Sequence, residues 1–321
     1  MYNEGQKNRF ISEYTRSSKT SKLIVQTFNL FEKYEEDWGI DLSMQSTEKL
    51  QPVVNKLTGV REKSTELILI ILREYVKWCE KNGYEVSQGI FDVSIDSIEK
   101  IKDQMVSTPH DLKERLNKYF EPVEKETIDI VYRVFLWMAF AGLDDIDAIR
   151  VSSDNIDLDN LVINFEGHTY ELYKEGKDDF EKACKLTDFS YEHTTPDYKI
   201  RRDRAQGNII MRGIRSPSVD LKTIRPAINK KFASESGGKE EKRTMLSYNR
   251  IYLSGIFYRA DKRERAGLPV NFSEVVACEI KRKQRTKQYT TSKTRTLKTI
   301  SNKIEREYLA DYERWKCAFN K

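Results

Sequence analysis

The stretch Ala141-Gly142-Leu143-Asp144-Asp145-Ile146-Asp147-Ala148-Ile149-Arg150-Val151, continued by Asp154-Asn155-Ile156-Asp157-Leu158-Asp159, is where the chain changes its period. Before it, Val123 to Phe140 reads as a long apolar helix that ends in Ala-Gly-Leu, with Val131, Phe135 and Met138 directed inward. After it, Leu161-Val162-Ile163-Asn164-Phe165 and Thr169-Tyr170-Glu171-Leu172-Tyr173 read as short strands, joined by Glu166-Gly167-His168 into a tight hairpin. Asp144, just after a Gly-Leu turn, also suits a helix N-cap, where its charge meets the positive end of the helix.

Working back toward the N-terminus, Leu23, Ile24, Phe28, Phe31, Tyr34 and Trp38 mark one face of a helix over 21–38. Leu50, Val53, Val54 and Leu57 mark a second from Thr47, with Gly59 as its stop. A third begins near Ser64 and ends at Asn82-Gly83, and a shorter one from Ile95 to Met105 completes a four-helix unit. Pro109 disfavours helix in the residue before it, so the domain boundary is expected at 108/109. Beyond the hairpin the chain is expected to be mostly helical, interrupted by polar loops at 194–206 and 234–242. The last segment carries Ile304, Tyr308, Tyr312, Trp315 and Phe319 at helical spacing, a stripe that must bury against its own domain or a neighbouring protein.

Composition excludes several classes. The longest apolar run, Val134 to Leu143, is far short of the roughly 20 residues a bilayer needs, and no signal-peptide core follows Met1, so a cytoplasmic protein is expected. Cys79, Cys184, Cys278 and Cys317 form no CxxC pair, and His110, His168 and His193 are not paired at helical spacing. Neither a metal nor any other cofactor is expected. Net charge is only +5, but Lys281 to Lys303 carries nine Lys or Arg and no acid.

A helical first domain, a helix ending in Ala141-Gly142-Leu143, an Asp154-Asn155-Ile156-Asp157 segment before a short hairpin, then basic helices: this order resembles the tyrosine recombinase (phage integrase) family. The resemblance implies a mainly α, two-domain fold with a small antiparallel β-hairpin or sheet. Residues 1–108 would be a helical, SAM-like core-binding domain, and 109–321 a catalytic-like domain with a C-terminal helix. In that family a tyrosine oxygen attacks a phosphodiester, while arginines, a lysine and histidines neutralise the transition state and protonate the leaving oxygen.

Position by position, the resemblance puts the first arginine on Asp144, reversing its charge. The hairpin lysine falls in Glu166-Gly167-His168, with Lys174 and Lys177 arriving too late. In Leu246-Ser247-Tyr248-Asn249-Arg250, Ser247 stands for the histidine of a His-x-x-Arg helix and Arg250 for the second arginine. No histidine lies near Phe272 to Val276, and Thr286-Lys287-Gln288-Tyr289-Thr290 resembles the nucleophile's Thr-x-x-Tyr-Thr. Asp144, Ser247, Arg250 and Tyr289 are therefore read as vestigial, and no catalytic role is expected. Arg250 also suits a surface helix arginine, and Tyr289 a phosphate hydrogen bond or simple packing.

What such a scaffold keeps is its grip on a duplex, implying double-stranded operator DNA as partner. The candidate contacts are Arg201, Arg202, Arg204, Arg212 and Arg215 in one basic stretch, and Lys281, Arg282, Lys283, Arg285, Lys287 and Tyr289 in a second. Lys293, Arg295 and Lys298 form a third group, with Thr286, Thr290, Thr291, Thr294 and Thr296 as hydroxyl donors. Arg250 is a further candidate, and by resemblance Lys19, Lys22, Arg61 and Lys63, at the starts of two helices, would meet a groove. Lost chemistry with retained binding resembles a temperate-phage repressor that maintains lysogeny on the host nucleoid. Two alternatives stay open: a divergent, active recombinase using Arg250 and Tyr289, and a helical module whose basic segment binds RNA or a protein.

Overall fold

The computed structural model describes all residues except 15–16, 59–62, 96–97, 194, 202–208, 213–217, 234–245, 286–296 and 321. For 19, 63, 99–100, 188–201, 282–285 and 297–299 it describes the backbone alone where it describes them. The chain divides into two compact units between Lys100 and Ile101, eight residues before the boundary expected at 108/109.

The first unit packs α1 (Glu4–Tyr14), α2 (Ser18–Trp38), α3 (Thr47–Leu57) and α4 (Lys63–Lys81). Phe10, Ile24, Phe28, Phe31, Leu50, Val54, Leu72 and Tyr75 are buried together in its core. Helix α2 starts three residues earlier than its apolar pattern does, because the Ser17 hydroxyl accepts the Thr20 N–H at 3.3 Å. It stops at Gly39, whose left-handed φ of 70° lets its N–H reach Glu35 O at 2.8 Å. Helix α3 leaves helical geometry at Thr58, and Gly59, its expected stop, lies outside the described residues.

The fourth helix of this unit is α1 and not the expected 95–105 segment, a correction with an electrostatic reason. Its sequence is polar, and Lys7 is fully buried with its Nζ 2.6 Å from Glu35 Oε1. The same carboxylate accepts the Leu42 N–H at 2.9 Å, and Tyr75 Oη donates to Asp41 at 3.1 Å. Burial pushes Glu35 above the ordinary carboxylate range, and the Lys7 charge opposes that shift. A charged pair of this kind hides a core helix from any hydrophobic pattern.

Helix α5 (Ile98–Gln104) crosses the division, and Pro109 opens α6 (Pro109–Tyr119) as a first-turn proline, with Thr108 accepting the Asp111 N–H at 3.1 Å. The centre of the second unit is α7 (Asp129–Ala141), in which every residue but Tyr132 is buried. It starts six residues later than expected. The buried Arg133 donates to Asp179 at 2.8 Å and to Asn117 at 2.8 Å, and Trp137 Nε1 donates to Asp179 at 2.7 Å, tying α7 to α9 (Lys177–Lys185).

After α8 (Asp145–Ala148) come β1 (Ile156–Asp157), β2 (Val162–Phe165) and β3 (His168–Glu171), an antiparallel sheet in the order β1-β2-β3. Phe165 pairs with His168, leaving a two-residue turn in which Glu166 (φ 48°) and Gly167 (φ 80°) are both left-handed. His168 thus belongs to a strand, not to the turn.

A second hairpin, β4 (Asp188–His193) with β5 (Thr195–Arg201), replaces much of the loop expected at 194–206. Its period-two signal was available: Phe189 pairs with Ile200 and Tyr191 with Tyr198. Helices α10 (Leu221–Ala233), α11 (Tyr248–Arg265), α12 (Ser273–Arg285) and α13 (Leu297–Phe319) complete the unit. The mainly helical class with a small antiparallel sheet is as the sequence indicates.

The aromatic stripe of α13 buries against its own unit. Tyr308, Tyr312 and Trp315 are each at most 2% exposed, Trp315 Nε1 donates to Val106 O at 3.1 Å, and Tyr312 Oη donates to Glu264 at 2.6 Å. Of the two expected fates, packing in cis is the one observed, so the stripe is not an open surface for a second protein.

Candidate nucleic-acid interface

The second unit's site is built where the end of α7 meets the start of α11. Tyr248 Oη donates to Leu143 O at 2.9 Å, the Tyr248 ring lies 4.4 Å from that of Phe135, and Arg259 Nη1 donates to Phe140 O at 2.6 Å. At Gly255 any Cβ would stand 1.9 Å from Phe140 O, so only glycine lets the two helices approach this closely. The result places the Gly142-Leu143-Asp144 turn beside Tyr248, in the first turn of α11.

Asp144 and Ser247 both serve as helix caps. Asp144 accepts the Asp147 N–H at 2.9 Å at the start of α8, and Ser247 accepts the Arg250 N–H at 3.4 Å at the start of α11. Of the alternatives open for Asp144, the cap is therefore realised. Arg250 is half-buried, and burial alone pulls its guanidinium down to about 10 from its ordinary 12.5. Its carbonyl accepts the Ser254 hydroxyl at 2.7 Å, which in turn accepts the Val106 N–H at 2.9 Å.

On the sheet side, acids surround Arg150. Arg150 pairs with Asp147 at 3.4 Å and with Glu166 of the hairpin turn, and lies over the Phe165 ring at 5.4 Å. Sequence reading missed Arg225 of α10, which pairs with the 2%-exposed side chain of Asp145 and lies 6.0 Å over the Tyr248 ring. A single arginine on an amphipathic helix carries no motif, so only the buried aspartate beside the Asp144 turn hints at it.

The other candidates divide sharply. Lys22 is exposed on α2, and Lys281 is exposed on α12. Arg282, Lys283 and Arg285 continue α12, Arg201 ends β5, Lys19 lies in the first turn of α2, Lys63 opens α4 and Lys298 lies in α13, all described by backbone alone. Arg61, Arg202, Arg204, Arg215, Lys287, Tyr289, Lys293 and Arg295, with the five threonines, lie outside the described residues.

Arg212 departs from expectation. It is buried, 1% exposed, beside Ile210 and Met211, and the Ile210 N–H donates to Val151 O at 3.0 Å. The apolar neighbours draw this segment inward, so its guanidinium is not a surface phosphate contact. Among the described residues no His, Cys, Asp and Glu cluster could hold a metal, and no helix is long and apolar enough to cross a membrane.

Residues 1–81 match the family model described as MrpR, N-terminal core-binding domain. The MrpR match spans α1 to α4, so in this unit the chain is MrpR-like. No curated protein sequence matches the chain. Among solved structures it is similar to XerA recombinase at 12% identity, covering 79% of this chain and 82% of that one, with a TM-score of 0.34. The integrase of mycobacterium phage Brujita aligns at 11% identity over 97% of this chain and 91% of that one, with a TM-score of 0.34. The Tn1549 transposon integrase, in complex with a circular intermediate DNA, aligns at 9% identity over 94% and 98%, with a TM-score of 0.35.

Proposed function

We propose that this chain is a sequence-specific binder of double-stranded DNA, built on a recombinase scaffold that does not cut, and acts as a phage transcriptional repressor at operator sites to maintain lysogeny. In this reading 1–108 is the core-binding domain and 109–321 the catalytic-like domain. The observation that carries it is that Asp144 and Ser247, where resemblance to tyrosine recombinases expects an arginine and a histidine, both act as helix caps. The MrpR-like first unit supports the regulatory half of the reading.

The energetics separate cutting from binding. A phosphorane-like transition state gains charge, and each missing donor of the oxyanion-hole kind costs about 3–4 kcal/mol of barrier. Asp144 adds repulsion, and the Arg150 charge is already met by Asp147 and Glu166. Duplex binding needs only cations near ground-state phosphates, and the release of counterions drives it. Exposed Lys22 and Lys281 meet that lesser requirement.

The test combines selection of bound fragments from the source genome with a suicide duplex that traps covalent intermediates. Retention of a few promoter fragments at moderate salt, with no adduct, is the expected result. An adduct that vanishes in Tyr289→Phe identifies an active recombinase instead, and indifferent retention of every fragment removes the operator-binding role.

A further inference from the structure

We propose that α1 is a pH-operated cover on the first unit: it stays docked while the buried cluster of Lys7, Glu35 and Asp41 carries one extra proton, and it opens more often as that proton leaves. The device is independent of whether the chain binds DNA.

Charges inside the unit are unequal. Lys7 Nζ lies 2.6 Å from Glu35 Oε1 and 3.9 Å from Asp41 Oδ2, so one buried ammonium faces two buried carboxylates. Glu35 also accepts the Leu42 N–H at 2.9 Å. Asp41 accepts the Ser43 N–H at 2.9 Å, the Tyr75 hydroxyl at 3.1 Å and Asn3 Nδ2 at 3.3 Å. On α4, burial pushes the Tyr75 hydroxyl and the Cys79 thiol up, so both stay neutral, and the thiol accepts Gln6 Nε2 at 3.1 Å. The rings of Phe28 and Tyr2 lie 5.1 and 6.0 Å from Lys7 Nζ. Two ionised carboxylates therefore leave a net negative charge out of water, and one added proton cancels it. Burial raises Glu35 above its ordinary 4.5, which makes it the group that takes that proton.

Little else holds α1. Of its 11 residues only Lys7 and Phe10 are fully buried, and a helix this short, with Gly5 in its first turn, is marginal in water by itself. On the outside, Glu13 accepts Trp78 Nε1 at 2.7 Å and Arg9 Nε at 2.9 Å, exposed contacts that add little. What α1 covers is aromatic: the Phe10 ring lies 6.0 Å from Phe28, 5.3 Å from Tyr75 and 5.7 Å from Trp78.

Opening returns Glu35 to water and to its ordinary 4.5. Between that value and the higher docked pKa, the docked form holds a proton that the open form has lost. The opening constant then rises by up to about tenfold per pH unit. Below 4.5 both forms are protonated, and above the docked pKa both are ionised, so Glu35 contributes no slope on either side. Glu13 acts in a separate window: Trp78 and Arg9 hold it below 4.5, and its share of docking is lost only as pH falls through that lowered value.

Hydrogen exchange of the full chain, corrected for intrinsic rates, measures the opening of α1 from about pH 4.5 to about pH 8. The opening constant should climb by up to about tenfold per pH unit and then level off, with α1 exchanging ahead of α3 throughout. Glu35→Gln keeps an acceptor for Lys7 and Leu42 but has no proton to lose, and should remove the climb. Asp41→Asn equalises the charges from the other side and should move the climb to lower pH. A parent profile that is flat or falls with rising pH overturns the proposal, as do exchange of α1 in step with α3 and a climb that persists in Glu35→Gln. If Glu35→Gln does not fold, Asp41→Asn decides, and an unmoved climb overturns the proposal.

Discussion

An aspartate and a serine reach the start of a helix for one reason: each offers an oxygen to backbone N–H groups that have no partner in the first turn. Asp144 and Ser247 both do so here, and the consequence is measurable as stability. Asp144→Ala should cost about 1 kcal/mol in denaturant unfolding, and Asp144→Asn much less, since asparagine caps as well. On the reading proposed above, Asp144→Arg should lose the cap and yield no covalent DNA adduct on a suicide duplex, because neither Ser247 nor the Glu166-Gly167 turn offers a cation to a phosphate. In the first unit, Lys7→Ala leaves the Glu35 carboxylate buried without its cation and should cost about 3–5 kcal/mol. Replacing both, as Lys7→Met with Glu35→Leu, should recover most of that loss in the same urea titration.

Elements were legible in proportion to how far their amphipathic pattern spoke for itself. Helix α3 runs over Thr47–Leu57 as its apolar spacing indicates, and α2 and α4 differ from expectation only near their ends. Helix α1 escaped because its buried face includes Lys7, and β4–β5 because polar residues outnumber the paired aromatic ones. The α7–α11 contact was invisible for another reason: a glycine in a helix says nothing about which backbone it touches. Gly255→Ala should therefore be severe, since its Cβ would overlap Phe140 O, and loss of cooperative unfolding of the second unit would register it. On α12, Lys281→Glu with Lys283→Glu should weaken binding to every sequence and flatten its salt dependence. An unchanged slope would remove this helix from the interface.

At the scale of the whole molecule, the motif positions located the Asp144 turn and the start of α11, and the fold brings the two together through Tyr248 and Leu143. Arg225 was not legible, because its partner Asp145 and its neighbour Tyr248 are distant in sequence. The C-terminal stripe was legible as something that must be covered, but no spacing can say by what. Its cover is the second unit itself, in which the Trp315 ring lies 6.2 Å from Phe257 and its indole N–H is bonded to Val106 O. Trp315→Ala should therefore cost about 3–5 kcal/mol through a cavity and an orphaned carbonyl. Because the contact is within one chain, that loss should be independent of protein concentration in urea titrations across a hundredfold range. A midpoint that shifts with concentration in the parent and not in the variant would place the stripe between copies instead.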